Sequence, residues 1–225
     1  MTDHSQKDWV SIIGFGSLLS EESARRTCPN LRNFRRGRVD DFARVFCKVD
    51  PNSARFDHDH IANWAFVEMK EQSTLVTLFE IPGREYPDLA KREGEYDLRE
   101  VPYVEEATGA EGKGVACCAF DCNDDFLNML ENNQMLYDHY MKTTYPLYQG
   151  PIWRKDILPR SRYVAFCLNA AKMQGAEYVN NILDHSFLAD EKTTIREYLT
   201  PRYKTLEHIQ DVEWLGDFLK KSEAA

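Results

Sequence analysis

Strand-like and helix-like segments occupy different halves of this chain. In the first half, short apolar and β-branched runs end at glycine, proline or polar turns, which is typical of strands. From Asp124 onward, apolar residues recur at helical spacing instead. Because the two kinds of segment are segregated and do not alternate, the pattern favours an α+β fold over a βαβ fold. We expect a small mixed β-barrel with surrounding helices and a helical C-terminal extension.

The individual elements follow from the same patterns. Strands are predicted at Trp9–Ile13, within Phe34–Val49 as one or two strands, and at Trp64–Met69, Leu75–Ile81, Val101–Glu106 and Val115–Phe120. Helices are predicted after Ser20 as N-cap, at Glu85–Glu93 with Gly94 as its stop, from Asp124 to Tyr137, and at Tyr163–Lys172, Tyr178–Leu188, Thr194–Tyr198 and Leu206–Leu219. The length favours one domain over residues 1–225, with a core at about 8–170 and a helical extension at about 171–225.

Composition and charge narrow the kinds of partner. The net charge is −9, which argues against a nucleic-acid binder, since such a protein needs a basic face. The start shows no apolar signal region, and the uncharged stretch Trp9–Ser20 is too short to span a bilayer. The six cysteines form no regular framework, so we interpret them as reduced thiols of a cytoplasmic protein. We expect a small-molecule substrate, no nucleic acid and no membrane; homodimerisation is left open.

One carboxylate is predicted to face the core. On the predicted helix, Tyr86, Leu89 and Ala90 form an apolar stripe, and Glu93 follows at i+7 on the same face. Asp88, Lys91 and Arg92 are expected to point elsewhere. Desolvation raises the pKa of a buried carboxyl group toward neutrality, which suits a general base. The alternative is that Glu93 is a fraying last-turn residue in a charged stretch.

A glycine-bearing turn follows the first predicted strand. Gly14-Phe15-Gly16-Ser17 lets the backbone approach a ligand closely, and free N–H groups in such a turn can bind a carboxylate or phosphate. A dinucleotide-binding fingerprint needs a third glycine where this chain has Leu19, and no βαβ pattern follows. The other alternative is a simple tight turn.

These two segments together carry a family resemblance. The strand followed by Phe15-Gly16-Ser17-Leu18-Leu19 is similar to the (Y/F)-G-S-x-L loop of the γ-glutamylcyclotransferase superfamily. The segment from Leu89 to Val101, with Glu93-Gly94, Tyr96 and Arg99, resembles that family's second signature, and Pro159-x-x-x-Tyr163 resembles a third. The two main segments lie within residues 9–120, about half of the chain. Phe15 replaces a frequent tyrosine, and the sequence after Leu19 departs from the glutathione-specific pattern, which leaves the substrate open.

The resemblance implies a mixed β-barrel, an activity and a site. Glu93 would be the acid/base, and the backbone of Phe15, Gly16, Ser17 and Leu18 would hold the α-carboxylate of a γ-glutamyl amide. Tyr96 and Tyr163 would line or cover the site. The α-amine attacks the γ-carbonyl and closes 5-oxoproline, so no metal, no cofactor and no covalent Ser or Cys intermediate is required. A non-catalytic binding protein on the same fold is the alternative.

Two further clusters contain residue types that could carry chemistry. Asp57-His58-Asp59-His60 has metal-ligand side chains but lies in a predicted polar loop, so a solvated loop is favoured over a metal site. Asp184-His185 offers an acid–histidine pair without a nucleophile elbow, so a hydrolase triad is disfavoured. Cys117 and Cys118 are predicted to face opposite sides of a strand. We interpret these two residues and Cys122 as buried structural thiols.

Overall fold

A computed structural model of the chain describes residues 4–202, 212 and 214–219. Six strands lie within these residues: β1 Trp9–Gly14, β2 Arg32–Val49, β3 Ala62–Pro82, β4 Asp97–Glu105, β5 Glu111–Cys118 and β6 Ser186–Phe187. The helices in the same residues are α1 Glu21–Arg25, α2 Tyr86–Arg92, α3 Asn123–Glu131, α4 Gln134–Thr143, α5 Ser161–Gln174, α6 Ala176–Asp184, α7 Ile195–Leu199 and α8 Leu215–Leu219. Strands therefore dominate the first half and helices the second, which confirms the α+β prediction.

The first five strands close into a ring. β3 pairs antiparallel with β1 and with β2, β2 pairs antiparallel with β4, and β4 pairs antiparallel with β5. A parallel bridge between Ile12 and Val115 joins β5 back to β1 and closes the barrel. β6 adds to β2 in parallel, with Arg44 opposite Ser186. Parallel and antiparallel pairs thus occur together, and the prediction of a mixed barrel is confirmed.

The two longest strands are bent. The sequence predicts separate strands at Trp64–Met69 and Leu75–Ile81, but the structure has one strand, Ala62–Pro82. The polar residues between the two apolar runs lie at a bend of this strand. At the bend, the register of the pairing between β2 and β3 shifts between Asp40 and Phe42 of β2. At the shift, the Asp41 carboxylate accepts the backbone N–H of Glu71 at 2.9 Å. A bulge that strengthens strand curvature is what a narrow barrel requires.

Several helix boundaries differ from the predictions. A single helix from Asp124 to Tyr137 was predicted, but α3 and α4 are separated at Asn132 and Asn133, because the Asn133 side chain caps α4 by accepting the N–H of Leu136. The predicted helix Tyr178–Leu188 instead starts at Ala176 and ends at Asp184, and Ser186–Phe187 pairs with β2. Most of the predicted helix Leu206–Leu219 lies outside the described residues, and Leu215–Leu219 is helical.

The barrel interior and the helix-facing side of the sheet form one apolar core. It includes Ile12, Phe66 and Phe79 from the strands, and Leu168 and Ile182 from α5 and α6, each at most 2% exposed. Burying one such side chain contributes about 1.5–3 kcal/mol. Because α5 and α6 pack into this core, the C-terminal helices are structurally continuous with the barrel.

The described residues also bear on the membrane and thiol predictions. The longest of their helices is α5, with 14 residues, and none of them combines the length and apolar character needed to cross a bilayer. All six cysteines are free; five are buried and Cys122 is exposed. The prediction of buried thiols therefore holds for Cys117 and Cys118 but not for Cys122.

Thr77 anchors the end of β1 to the barrel and gives a stability prediction. Its buried hydroxyl donates to the carbonyl of Leu18 at 2.9 Å and lies 3.3 Å from that of Gly14. Thr77→Val keeps the shape but leaves these carbonyls unpaired, so the free energy of unfolding should fall by about 1–2 kcal/mol. Urea denaturation measures this, and Thr108→Val, at an exposed hydroxyl, is the control. An equal loss in both variants would contradict the anchoring role.

Candidate active site

Side chains from β2 and α5 fix the turn after β1 by donating hydrogen bonds to its carbonyl groups. The Phe15 carbonyl accepts a hydrogen bond from Arg44 Nε at 2.8 Å, and the Leu19 carbonyl accepts one from Gln174 Nε2 at 3.1 Å. The Phe15 ring stacks on Phe66 with the ring centroids 3.9 Å apart. Together with Thr77, these contacts fix the turn from the barrel and from α5. The turn is therefore more than a connection between β1 and α1.

The opposite edge of the turn presents backbone donors. Ser17–Leu19 form one 3₁₀ turn, in which Leu19 N–H bonds to the Gly16 carbonyl. In the described part of the chain, the N–H groups of Gly16, Ser17 and Leu18 donate to no other protein group. All three residues line a cavity. Unpaired N–H groups that converge on a cavity can bind an anionic group.

Gly16 permits close contact between the turn and α5. A Cβ atom at this position would lie 2.4 Å from the Tyr163 hydroxyl and 3.9 Å from the Trp64 ring. Only a residue without a side chain allows Tyr163 to reach the turn in this way. The Tyr163 ring also packs edge-on against Trp64, with centroids 5.6 Å apart. The glycine is thus needed for packing as well as for access by a ligand.

Glu93 lies at the end of α2. The predicted helix Glu85–Glu93 is shorter than expected, since a 3₁₀ turn covers Gly83–Glu85 and α2 spans Tyr86–Arg92. Glu93 is the C-cap, and its N–H still bonds to the Leu89 carbonyl at 2.9 Å. Its side chain is 13% exposed and lines the same cavity as the turn. The predicted inward direction of Glu93 is therefore what the structure shows, although it is a cap and not a helical residue.

The pKa of Glu93 is raised above its ordinary value. Burial is the largest cause, because a carboxylate loses hydration in the cavity wall. The positive charges of Arg92 and Lys48 act in the opposite direction, and the negative charge of Glu95 adds to the rise. Glu93 is thus a sheltered carboxyl group that holds its proton more strongly than an exposed glutamate does, a property that suits a general acid/base.

Arg92 connects Glu93 to the turn. Its Nε atom lies 2.9 Å from Glu93 Oε1, and its Nη2 donates to the Ser17 hydroxyl at 3.1 Å. Its Nη1 donates to the Ser23 carbonyl and the Thr27 hydroxyl, both at 3.0 Å. The expectation that Arg92 points away from the core face was wrong. A long side chain at the last turn of a helix can fold back along the cavity wall, which helical periodicity does not describe.

A single cavity of about 200 Å³ brings all the predicted site residues together. The size is below the roughly 300–1,000 Å³ of pockets for drug-sized ligands, which suits a small metabolite. The predicted residues that line it are Phe15, Gly16, Ser17, Leu18, Glu93, Tyr96 and Tyr163. Their roles stay predictions, but two segments about 75 residues apart in the sequence do meet in one cavity, as the resemblance implies.

Two tyrosines close the cavity with their hydroxyls engaged. Tyr96 is buried and donates to the Trp64 carbonyl at 3.0 Å. Burial raises the pKa of Tyr96 and of Tyr163 well above the ordinary value, and the Tyr163 hydroxyl is hydrogen-bonded to the Cys167 thiol. Both phenols are therefore protonated at neutral pH. They act as walls and hydrogen-bonding groups, and not as bases.

The sequence analysis missed five other polar or aromatic residues of the wall: Lys48, Asn63, Trp64, Arg92 and Cys117. Lys48 is buried, forms an ion pair with Glu95, and has its Nζ 5.1 Å from the Tyr96 ring centroid. The Asn63 amide oxygen is buried without a hydrogen-bond partner among the described residues. Lys48 and Asn63 could have been found from the sequence, because each is a polar residue within an apolar strand. A polar side chain that is buried in a strand needs a hydrogen-bonding or charged partner.

The other clusters do not form sites in the described residues. No group of three or more His, Cys, Asp or Glu side chains lies close enough there to hold a metal ion. Asp57 and His60 form an exposed pair at 3.6 Å, and the Asp57 carboxylate accepts the N–H groups of its own loop. Asp184 pairs with Arg196, whereas His185 contacts Gln72 at 2.9 Å, so the two side chains have different partners.

The contact between Gly16 and Tyr163 gives a paired prediction. Gly16→Ala should lower the free energy of unfolding by about 1–3 kcal/mol, because the new methyl group overlaps the Tyr163 hydroxyl. Tyr163→Phe removes that oxygen, so the double variant should recover much of the loss. Chemical denaturation of the wild type, both single variants and the double variant measures the coupling. Additive losses would contradict a direct contact.

The raised pKa of Glu93 predicts a pH dependence of stability. A carboxyl group with a higher pKa in the folded state than in the unfolded state binds more protons when folded, so its contribution to stability is full below about pH 4.5 and falls as the pH rises. Glu93→Gln does not titrate. The unfolding free energy of Glu93→Gln relative to wild type should therefore increase between pH 4.5 and 8.

Urea unfolding across this pH range is the measurement for that prediction. Glu131→Gln, at an exposed glutamate of α3, controls for the removal of one negative charge. A relative stability of Glu93→Gln that falls with pH would show that Arg92 and Lys48 outweigh the burial of the carboxyl group.

Comparisons with known proteins complete the description. No protein-family model and no curated protein matches the chain. Solved structures are similar to it: a γ-glutamyl cyclotransferase at 13% identity, with a TM-score of 0.44 over 64% of this chain and 93% of the other. YkqA from Bacillus subtilis has 14% identity and a TM-score of 0.48 over 77% of this chain and 52% of the other.

A γ-glutamyl cyclotransferase specific to glutathione, from yeast, is also similar. It has 12% identity and a TM-score of 0.43, covering 80% of this chain and 98% of the other. At such identities and TM-scores these likenesses carry no conclusion about activity, and function must be argued from the cavity itself.

Proposed function

We propose that the chain is a γ-glutamylcyclotransferase-like enzyme, which releases 5-oxoproline from a γ-glutamyl amide or peptide. The observation that carries the proposal is the cavity in which the donor groups of Gly16–Leu18 face the sheltered carboxyl group of Glu93. One side of this cavity suits an anion and the other suits proton transfer. A γ-glutamyl group offers a carboxylate and an amine, separated by one carbon atom.

The α-carboxylate of the substrate binds the turn in this proposal. Among the described residues, the N–H groups of Gly16, Ser17 and Leu18 have no protein acceptor, so they are available to carboxylate oxygens. Hydrogen bonds to a charged acceptor contribute more than neutral ones, about 1.5–3 kcal/mol each. Arg92 reinforces the preference, since its guanidinium lies beside Ser17. The anchored carboxylate directs the adjacent α-amine toward Glu93.

Glu93 then transfers protons between two nitrogen atoms. The α-nitrogen loses two protons as it attacks the γ-carbonyl carbon and forms the ring bond, and the leaving nitrogen gains two as the amide bond breaks. Glu93 accepts each proton and returns it, so it ends the cycle unchanged. A carboxyl group with a raised pKa suits both directions of transfer and contributes roughly 10²–10⁴-fold to the rate.

The remaining barrier is lowered by the shape of the cavity. Well-oriented intramolecular attack is worth roughly 7–11 kcal/mol, provided that the reacting conformer is held in place. The rings of Tyr96, Trp64 and Tyr163 form rigid walls of the small cavity, which favour a folded glutamyl chain. The buried oxygen of Asn63 is an unpaired acceptor beside the cavity and supports binding of the ammonium form of the α-amine.

The leaving amine is assigned to a neighbouring cavity in the same proposal. This cavity, of about 260 Å³, shares Lys48 and Arg92 with the first, so these two side chains contact both cavities. Its other walls include Glu95, His139 and Thr144. Glu95 is already engaged, since it accepts from both Lys48 and Thr144. The mixed polar lining favours a polar leaving group.

Glu93→Gln tests the proposed role of the carboxyl group. The substitution keeps the shape and removes proton transfer, so 5-oxoproline release should fall by roughly 10²–10⁴-fold. The measurement is chromatographic detection of 5-oxoproline from a panel of γ-glutamyl dipeptides, glutathione and γ-glutamyl amines. Binding of 5-oxoproline, measured by calorimetry, should stay within about threefold of wild type.

Three outcomes separate the alternatives. Loss of turnover with retained binding in Glu93→Gln supports the acid/base role. Full turnover in Glu93→Gln removes Glu93 from the mechanism. Binding of γ-glutamyl compounds by the wild type without any 5-oxoproline release identifies a binding protein on this fold instead.

A further inference from the structure

A buried arginine lies behind the turn, on the side away from the cavity. Arg44 is fully buried in β2 and is one of the largest completely buried side chains of the described residues. Its Nε donates to the Phe15 carbonyl at 2.8 Å, and its Nη2 donates to the Leu75 carbonyl. Arg44 thus bridges the turn and β3. Its guanidinium holds the first carbonyl of the segment whose N–H groups line the cavity.

The third partner of Arg44 comes from the C-terminal helices. Arg44 Nη1 donates to Asn181 Oδ1 at 3.0 Å, and Asn181 is in α6. The same oxygen accepts the Leu75 N–H at 2.8 Å, and Asn181 Nδ2 donates to the Ser73 carbonyl at 2.8 Å. Asn181 therefore fixes both Arg44 and the strand against which Arg44 packs. This chain of contacts connects α6 to the turn through two side chains.

The charge of Arg44 has no acidic partner in the described residues. None of their ion pairs includes it, and its hydrogen-bond acceptors among these residues are two backbone carbonyls and one side-chain amide. Burial lowers the pKa of Arg44 to about 10, so it remains charged at neutral pH. A buried cation without an opposite charge nearby lowers the stability of the folded protein. A negatively charged ligand on the far side of the turn would lower that cost.

We propose that Arg44, held by Asn181 of α6, is a positioning residue that aims the N–H groups of Gly16–Leu18 and makes the turn selective for a carboxylate. The inference rests on the proposed function, since it assigns the α-carboxylate to this turn. It gives the C-terminal helices a part in substrate binding, because α6 supplies the residue that orients Arg44. Neither residue touches the substrate.

Binding and kinetics of Asn181→Ala and Arg44→Lys test this inference. Asn181→Ala frees the guanidinium, and Arg44→Lys keeps the charge but cannot make the three-way contact. Each variant should raise the KM for the best γ-glutamyl substrate about tenfold, with kcat changed less than about threefold, because a ground-state contact is lost. The dissociation constant of 5-oxoproline should rise by the same factor. The carboxamide analogue of 5-oxoproline, which lacks the carboxylate, should bind wild type and variants alike.

Tyr178→Phe is the matched control. Tyr178 lies one turn earlier on α6, and its buried hydroxyl donates to the Val76 carbonyl at 2.9 Å without contacting Arg44. The substitution removes a buried hydrogen bond between α6 and β3, so it should lower the thermal midpoint as Asn181→Ala does. It should leave the KM and the 5-oxoproline affinity unchanged. A stability effect and a positioning effect are thereby separated.

The outcomes distinguish this inference from the proposed function. If the wild type turns over its substrate, two results overturn the role of Arg44 but leave the proposed function in place. One is a KM in folded Asn181→Ala that equals that of wild type. The other is a KM that rises equally in Tyr178→Phe and Asn181→Ala. If Asn181→Ala does not fold, Arg44→Lys decides on the same criteria. A wild type that neither binds nor converts γ-glutamyl compounds overturns both. Equal weakening of 5-oxoproline and its carboxamide would overturn the assignment of the carboxylate to the turn.

Discussion

The guanidinium of Arg92 is the interaction on which the geometry of the cavity depends. It lies between the carboxyl group of Glu93, at 2.9 Å, and the hydroxyl of Ser17, at 3.1 Å. It also donates to Ser23 of α1 and to Thr27, which follows that helix. One side chain thereby bridges the turn at Ser17 and the carboxyl group of Glu93, the two sides of the cavity to which we assign anion binding and proton transfer. An arginine suits this task because its planar fork presents several donors in fixed directions. Without it, the turn and the end of α2 would be joined only by packing.

Opposing electrostatic effects act on the pKa of Glu93. Burial raises its pKa, and the nearby cations Arg92 and Lys48 restrain that rise. Lys48 forms an ion pair with Glu95, so its charge is partly neutralised. The same principle operates behind the turn, where Arg44 is charged but pairs only with neutral acceptors. The protein therefore carries incompletely paired charges in and near the cavity. In our proposal, the carboxylate and the amine of the substrate pair with them.

Local patterns in the sequence predicted the parts of the site that depend on a single element. The turn at Phe15–Leu18 follows from a glycine after a buried strand, and the direction of Glu93 follows from helical spacing. The predicted direction of Arg92 was wrong, because the direction of a flexible side chain at a helix end depends on its tertiary contacts and not on helical spacing. The bend of β3 was missed because polar residues on the outside of a bulge look like a loop. The pairing of Arg44 with Asn181, 137 positions later, depends on tertiary contact and leaves no local signal.

A crystal structure of the protein with 5-oxoproline tests the central claim most directly, since it locates both functional groups of the product at once. The account predicts that the carboxylate accepts hydrogen bonds from the N–H groups of Gly16, Ser17 and Leu18, at about 2.7–3.2 Å. It also predicts that the ring nitrogen faces the Glu93 carboxyl group across the cavity. A product bound elsewhere, or bound here with Glu93 turned toward bulk water, would contradict the account.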